Sequence, residues 1–383
     1  MFMRKIAVVT GTRAEYGILQ SLLQKTHEDP GLELQLYVSG MHLSDEYGKT
    51  INEIPYPITA KIDMHIKDKN EANDMAHSVS YGINGFVEAF EKNKPDVVVI
   101  VGDRIEPFAA AIATMFLRIP LAHIHGGDVS PNVFDDRMRH ALTKMASIHF
   151  PVSDKSMNRI IKMGEEGWRI HNVGAPQLDT VLNIKTLSKE ELFKKYGLDA
   201  GKKTIMVLYH PTTTEWEKAG EQFSSVIDTL VQFDDCQKLI IYPNADAGGY
   251  KIIEEIKKLE DKADYFVFKN LPYAEYISVM KNSDVLVGNS TSSIVEAPSL
   301  ALPAVNVGLR QECRERANNV IDVPHNPKEI KKAIERALHD EEFLKLVAKR
   351  ETPYGDGHAA EKIISVLKNV EINDKLIKKR MTY

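Results

Sequence analysis

Short runs of apolar, β-branched residues alternate along this chain with longer stretches whose apolar residues return every three or four positions. In the first half the runs are Lys5–Thr10, Leu34–Ser39, Asp96–Asp103, Leu121–His125 and Ile148–Ser153. They are apolar along their whole length, which predicts parallel strands covered on both faces. The stretches between them, Ile18–His27, Glu71–Asn93, Ile105–Leu117 and Asp135–Met145, predict amphipathic helices. Such alternation implies right-handed crossovers in a doubly wound sheet.

The series stops near Gly174-Ala175-Pro176 and restarts after a polar helical segment at Ser188–Gly197. The second set of strands is Thr204–Tyr209, Leu239–Pro243, Tyr265–Lys269, Asp284–Val287 and Ala304–Val307. Helices at Lys328–Leu338, Glu341–Lys349 and Ala359–Val370 close the chain. The pattern predicts an α/β protein of two Rossmann-like domains, 1–176 and 177–358, with a linker near 175–185 and the segment 359–383 crossing back onto the first domain. A length of 383 residues suits two such cores better than one.

Composition narrows the classes of function. Hydrophobic residues make up 43% and charged residues 27%, the balance of a globular protein. The net charge of −5, from 49 basic and 54 acidic residues, suggests neither a nucleic-acid nor a membrane partner. The Lys375–Arg380 tail reads as a solvated face. Met1–Thr10 reads as a first buried strand rather than a secretion signal, and no apolar run approaches the ~18–20 residues of a membrane span. Cys236 and Cys313 stand far apart, in no metal-like spacing, which fits a reducing, cytoplasmic setting without a disulfide framework.

Ligands of open α/β sheets sit at the carboxyl ends of the strands, so the candidate chemistry lies in the residues just beyond each strand. After the first comes Gly11-Thr12-Arg13-Ala14-Glu15-Tyr16-Gly17, a turn with a fixed positive charge. It suits a phosphate, or it is a plain turn with Arg13 solvated. It is not the dinucleotide fingerprint. Gly102-Asp103-Arg104 offers Asp103 either as an acid–base group or as a helix N-cap. His123 and His125 alternate onto one side of a strand. They read as a metal pair lacking further ligands, or as titratable groups lining a cleft. Asp135 and Arg139, four apart on one helical face, suit an ion pair that keeps Asp135 charged.

In the second half, His210-Pro211-Thr212-Thr213-Thr214 and Tyr242–Gly248 come after strands. Gly288-Asn289-Ser290-Thr291-Ser292-Ser293 then precedes a helix containing Glu296. Hydroxyls at a helix start suit a diphosphate, with Glu296 in reach of a ribose diol. Ser293 and Glu296 also have the spacing of a capping box.

Together, and in this order along nearly the whole chain, these motifs resemble the hydrolysing branch of the UDP-N-acetylglucosamine 2-epimerases. The resemblance implies a glycosyltransferase-B type architecture with a central cleft. It implies UDP-binding positions at Arg13, Asn244, Ser290, Thr291, Glu296 and Arg310, with Leu271 at the uracil pocket. It implies catalytic positions at Asp103, Asp135 and His210, with His42, Arg104, Arg139 and His140 at or near the same site. Several members of the family carry Glu where this chain has His125, which is expected here as the third acid–base group.

The activity so implied releases UDP from C1 while the C2 proton is lost, giving a 2-acetamidoglucal, and then adds water with the opposite configuration at C2. UDP-N-acetylglucosamine is the expected substrate. A 2,4-diacetamido-2,4,6-trideoxy relative used for legionaminic acid is the alternative, and a glycosyltransferase a further one. Neither metal nor redox cofactor is expected, and a homodimer or homotetramer is.

Overall fold

The computed structural model describes residues 3–45, 47–65, 72–131, 133–244 and 246–383. Glu71, the expected start of the second long helix, and Ala245, in the turn after Leu239–Pro243, lie outside the described residues.

Among the described residues two parallel sheets of six strands follow one another along the chain. The first holds β1 (Arg4–Thr10), β2 (Leu32–Ser39), β3 (Ile58–Ile62), β4 (Val97–Val101), β5 (Leu121–Ile124) and β6 (Ile148–Phe150), in the order β3-β2-β1-β4-β5-β6. The second holds β7 (Lys203–Leu208), β8 (Cys236–Ile241), β9 (Tyr265–Phe268), β10 (Val285–Gly288), β11 (Ala304–Val307) and β12 (Val320–Val323), in the order β12-β11-β10-β7-β8-β9. The second order repeats the first, strand for strand. This is the two-domain α/β architecture of glycosyltransferase-B type. The strand order reverses between β1 and β4, and again between β7 and β10, so loops there part to opposite faces and open a crevice.

Ten of the twelve strands are those expected. The two unread ones, β3 (ITAKI) and β12 (VIDV), are edge strands, only half-buried and interrupted by Lys61 and Asp322. An edge strand is covered less than a central one, so it need not be apolar throughout, and a search for wholly apolar runs passes over it.

The helices of the first half include α1 (Arg13–Glu28), α2 (Ala72–Asn93), α3 (Ile105–Leu117), α4 (Asp135–Met145), α5 (Asp154–Lys162) and α6 (Pro176–Asn183). Helix α1 starts five residues earlier than its apolar periodicity suggests, because a capping box holds its first turn. Thr12 Oγ1 accepts from the Glu15 amide at 3.2 Å, and Glu15 Oε2 accepts from the Thr12 amide at 3.0 Å. Arg13 is thereby fixed at the helix start rather than in a loose turn.

The helix Ala359–Asn369 lies against α1 and α6 in the core of the first half. Asp179 of α6 fixes it by accepting the amides of Ala359 and Ala360 at 2.8 and 2.7 Å. In the tail beyond it Lys375, Lys378 and Arg380 are exposed, as expected, but the segment is also anchored to the first half. Arg169 donates to the carbonyls of Lys375 and Leu376, and Lys379 pairs with buried Glu165 at 2.6 Å. Among the described residues no helix is long and apolar enough to cross a membrane.

Candidate active site

The two switch points face each other across one cleft, lined from both halves. From the first half it receives Arg13, Asp103, Arg104, His125, Asp135 and Arg139, and from the second His210, Asn244, Leu271, Ser290, Thr291, Glu296 and Arg310. Thirteen of the fifteen expected site residues thus share one cavity. His42 and His140 do not line it. His42 is fully buried between the hydroxyls of Thr10 and Thr50, at 3.0 and 2.7 Å, and burial lowers its imidazole to about 4. His140 turns from the cleft toward Asp136, 3.4 Å away. Helical and loop spacing places both nearby in sequence but cannot say which way a ring turns.

Asp103 is no N-cap: α3 begins without a side-chain cap, and the Asp103 carboxylate instead meets Arg139. Arg139, only 1% exposed, also donates to Asp136 Oδ1 at 2.8 Å and to the Asp128 carbonyl at 3.1 Å. Burial alone would raise the Asp103 carboxyl, but Arg139, with Arg314 and Arg310, holds it below the usual carboxylate range.

The expected Asp135–Arg139 pair is therefore corrected, and so is the charge state it implied. Burial pushes Asp135 up to about 7, with the negative charges of Asp246 and Asp103 adding to it against Arg104 and Arg310. Asp103 thus stays ionised at neutral pH, while Asp135 is poised to exchange its proton there.

The His123–His125 pair is corrected too. Strand β5 ends at Ile124 and His125 takes φ +65°, so the two rings diverge. His123 enters the core, 2.7 Å from the Gly102 carbonyl oxygen, where burial drops it to about 3. His125 faces the cleft, 3.4 Å from Asp128 Oδ2 and 3.3 Å from Gln177 Oε1. Rings so arranged cannot share an ion. Among the described residues no group of three or more His, Cys, Asp or Glu side chains is placed to hold one.

On the opposite wall, Asn289 ties the ends of β7 and β10 together. Its side chain accepts the His210 amide at 2.7 Å and donates to the His210 carbonyl at 2.8 Å. The His210 Nδ1 accepts from the Asn244 amide at 3.2 Å, and burial, with Arg310 nearby, lowers the ring to about 3. His210 is thus a neutral imidazole whose Nε2 carries the proton, a fixed donor and not a charge.

Ser290, not Ser293, caps the adjoining turn: its Oγ accepts from the Ser292 amide at 3.3 Å. That turn is a single 3-10 turn, Thr291–Ser293, and the helix carrying Glu296 is only Glu296–Ser299. The capping-box alternative for Ser293 and Glu296 therefore fails. The turn offers an anion backbone amides and hydroxyls rather than a long helix dipole. Arg310 donates to the Asn289 carbonyl at 3.1 Å, which sets it beside this turn. Glu296 is buried and raised to about 7 chiefly by that burial.

Several cleft residues were not singled out from the sequence. Glu15 is one, although the Thr12-x-x-Glu15 spacing announces it. Asp246 and Arg314 are others, and both cross the cleft. Arg104 donates to Asp246 Oδ1 at 2.6 Å, and Arg314 Nε donates to Ser130 Oγ at 2.9 Å. Arg13 also spans it, donating to the Leu271 carbonyl at 2.5 Å. No local periodicity marks such pairs.

Comparison with known proteins places this geometry. A sequence profile described as UDP-N-acetylglucosamine 2-epimerase matches residues 24–368. The hydrolysing UDP-N,N'-diacetylbacillosamine 2-epimerase of Legionella pneumophila is 38% identical over 383 residues, 99% of this chain and 100% of that one. The hydrolysing GDP/UDP-N,N'-diacetylbacillosamine 2-epimerase of Campylobacter jejuni is 33% identical, over 99% of each chain. Among solved structures, that of the Neisseria meningitidis UDP-GlcNAc 2-epimerase bound to UDP-GlcNAc superposes with a TM-score of 0.79 at 20% identity, covering 95% of this chain and 99% of that one.

Proposed function

The chain belongs to the UDP-N-acetylglucosamine 2-epimerase family, and from that premise we propose that it is a hydrolysing 2-epimerase acting on UDP-2,4-diacetamido-2,4,6-trideoxyglucose, that is, UDP-N,N'-diacetylbacillosamine. The observation that carries the reaction is the pairing, in one cleft, of the ionised Asp103 with the near-neutral Asp135. The choice of sugar rests on the two relatives that act on the diacetamido substrate. UDP-N-acetylglucosamine is the second reading, supported by the likeness in fold to an enzyme seen with that ligand.

The C2 proton of such a sugar has no neighbouring carbonyl and becomes acidic only as the C1–oxygen bond to UDP breaks. Asp103 takes that proton, the C1–oxygen bond breaks, and a C1–C2 double bond forms as UDP leaves. Arg13, Arg310, the His210 Nε2–H and the amides of the Ser290 turn meet the departing charge. Asn244, Leu271, Thr291 and Glu296 hold the nucleoside end. From the other face Asp135 gives its proton to C2, while a water steered by His125 bonds to C1 and returns a proton to Asp135. Asp103 then loses its proton to solvent. Arg139 keeps Asp103 ionised between turnovers, and Arg104 braces the two walls. A carboxylate is a weak base, but the positive charge growing at C1 lowers the demand on it.

The test is incubation with each UDP-sugar in deuterium oxide, followed by NMR. We expect faster UDP release from the diacetamido substrate, and an epimerised free sugar carrying deuterium at C2. Release of the unepimerised sugar with its C2 hydrogen retained would instead mark a transferase acting as a hydrolase. Substituting Arg13 by Ala should weaken UDP binding about 10- to 100-fold, the value of a charged hydrogen bond to phosphate. Unchanged affinity by calorimetry would remove Arg13 from the phosphate site.

The same reading includes a cytoplasmic setting, in keeping with two free cysteines. It also includes a homodimer or homotetramer, supported by exposed Tyr81 on α2 and exposed Met115 and Phe116 on α3. Light scattering that finds a monomer at working concentration would contradict the latter.

A further inference from the structure

Behind the reacting groups lies a chain of buried ionisable side chains that the proposed reaction does not use. Glu106, in the first turn of α3, is fully buried, and its carboxylate lies 3.3 Å from Arg104 Nε. The backbone is cut away to admit it. A Cβ on Gly11 would stand 2.4 Å from Glu106 Cγ, and one on Gly40 would stand 2.3 Å from Glu106 Oε1. Neither Glu106 oxygen has a hydrogen-bond partner among the described residues, so this carboxylate serves Arg104 by charge and shape. Glu15 packs nearby; burial, then the charge of Glu106, raises it to about 8, so at neutral pH it holds a proton.

Arg104 reaches from there to the second half, where Asp246 receives it at 2.6 Å while also accepting from Asn244 Nδ2 at 2.6 Å. Asp246 is 4% exposed and lines the same cleft as Asp135, from the opposite wall. The two stand on different halves of the protein, so only the folding of both halves around one cleft brings them together.

We propose that Asp246 is a positioning residue for the reaction: with Glu106 behind it, Arg104 acts as a strut to Asp246, and this bridge across the cleft sets the charges that Asp135 faces. The inference rests on the proton-transfer role of Asp135 in the proposed function. The charges facing Asp135 include Asp246 from the turn after β8, Asp103 after β4, Arg104 before α3, Arg310 after β11 and Arg139 on its own helix. The carboxylates favour its protonated form and the guanidinium groups oppose it. The Arg104–Asp246 contact across the cleft fixes their balance.

The test is the titration of the Asp135 carboxyl by ¹³C NMR in the full chain with UDP bound, the signal being assigned with Asp135→Asn. Asp246→Asn removes a facing negative charge and frees Arg104, so the Asp135 midpoint should fall by about one pH unit. Arg104→Met removes a facing positive charge, and the midpoint should rise. Asp246→Glu keeps the charge and should leave the midpoint near the wild type, as well as showing that the turn still folds. In kinetics, Asp246→Asn should lower kcat more than it raises KM, and the alkaline limb of its pH profile should move down with the NMR midpoint.

Shifts of the same sign in Asp246→Asn and Arg104→Met, or no shift in either, would overturn the proposal and leave a merely structural bridge. Loss of UDP affinity in Asp246→Asn with an unmoved midpoint would overturn it too, in favour of direct ligand contact. Opposite shifts in a protein that releases no UDP from either sugar would uphold the coupling and refute the proposed reaction instead.

Discussion

Asp103→Asn is expected to lower turnover about 10³-fold while leaving UDP affinity within about threefold. Asn is nearly isosteric but cannot take the C2 proton. The side chain lies at the end of β4, whereas the groups that meet the diphosphate come after β1, β7, β10 and β11. Loss of chemistry and loss of binding should therefore separate, with kcat falling and KM little changed.

The variant also strands Arg139, which is 1% exposed, without its main carboxylate. Removing one partner of a buried pair costs about 3–5 kcal/mol when nothing replaces it. Asp136 and the Asp128 carbonyl remain as acceptors, so a smaller loss is expected and the fold should survive. A thermal melt alongside single-turnover kinetics distinguishes an unfolded variant from an inactive one. Deuterium exchange at C2 should fall in parallel with UDP release, because both depend on the same proton transfer. A folded Asp103→Asn enzyme within tenfold of wild-type turnover would remove Asp103 from the role of base.

Gly288→Ala carries the largest expected effect on stability. Gly288 ends β10 with φ +147°, and a Cβ there would lie 2.1 Å from the Leu208 carbonyl oxygen. That oxygen belongs to the neighbouring central strand, in register with Gly288 itself, so it cannot move aside alone. A strained backbone costs about 1–3 kcal/mol and overpacking a similar amount, together about 2–6 kcal/mol. For domains of this size that corresponds to a fall of roughly 10 °C in Tm.

UDP binding should weaken as well, since Asn289 and Ser290 come directly after Gly288 and Asn289 holds His210 through two hydrogen bonds. Calorimetry with UDP and a melting curve on the same preparation test both effects. A Tm within about 2 °C of wild type and an unchanged affinity would show that the turn relaxes without harm, and that the strain argument fails.

Much of this protein is written in its local pattern. Central strands of a doubly wound sheet are buried on both faces, so Val97–Val101 or Ala304–Val307 must be apolar throughout, and such runs are visible without a structure. Because ligands gather beyond the carboxyl ends of those strands, the residues after each run point to the cleft, and Arg13, Asp103, His210 and Ser290 meet there. Edge strands escaped because partial exposure relaxes the demand for apolar side chains, as Lys61 and Asp322 show.

What the tertiary structure alone decided is which charges meet and which are hidden. Arg139 stands four residues from Asp135, yet it pairs with Asp103, thirty-six residues away. Arg104 finds Asp246 at a separation of 142 residues. His123 and His125 share a strand in sequence, but one residue of left-handed backbone sends the first to the core and the second to the cleft. Periodicity reports neighbours two to four positions apart. Protonation depends instead on solvent exclusion and on every charge within several ångströms, wherever it lies along the chain. The chain's order of residues thus set the scaffold and the places where chemistry occurs. The assignment of an ionised Asp103 and a near-neutral Asp135 came only when folding removed water and brought distant charges to them.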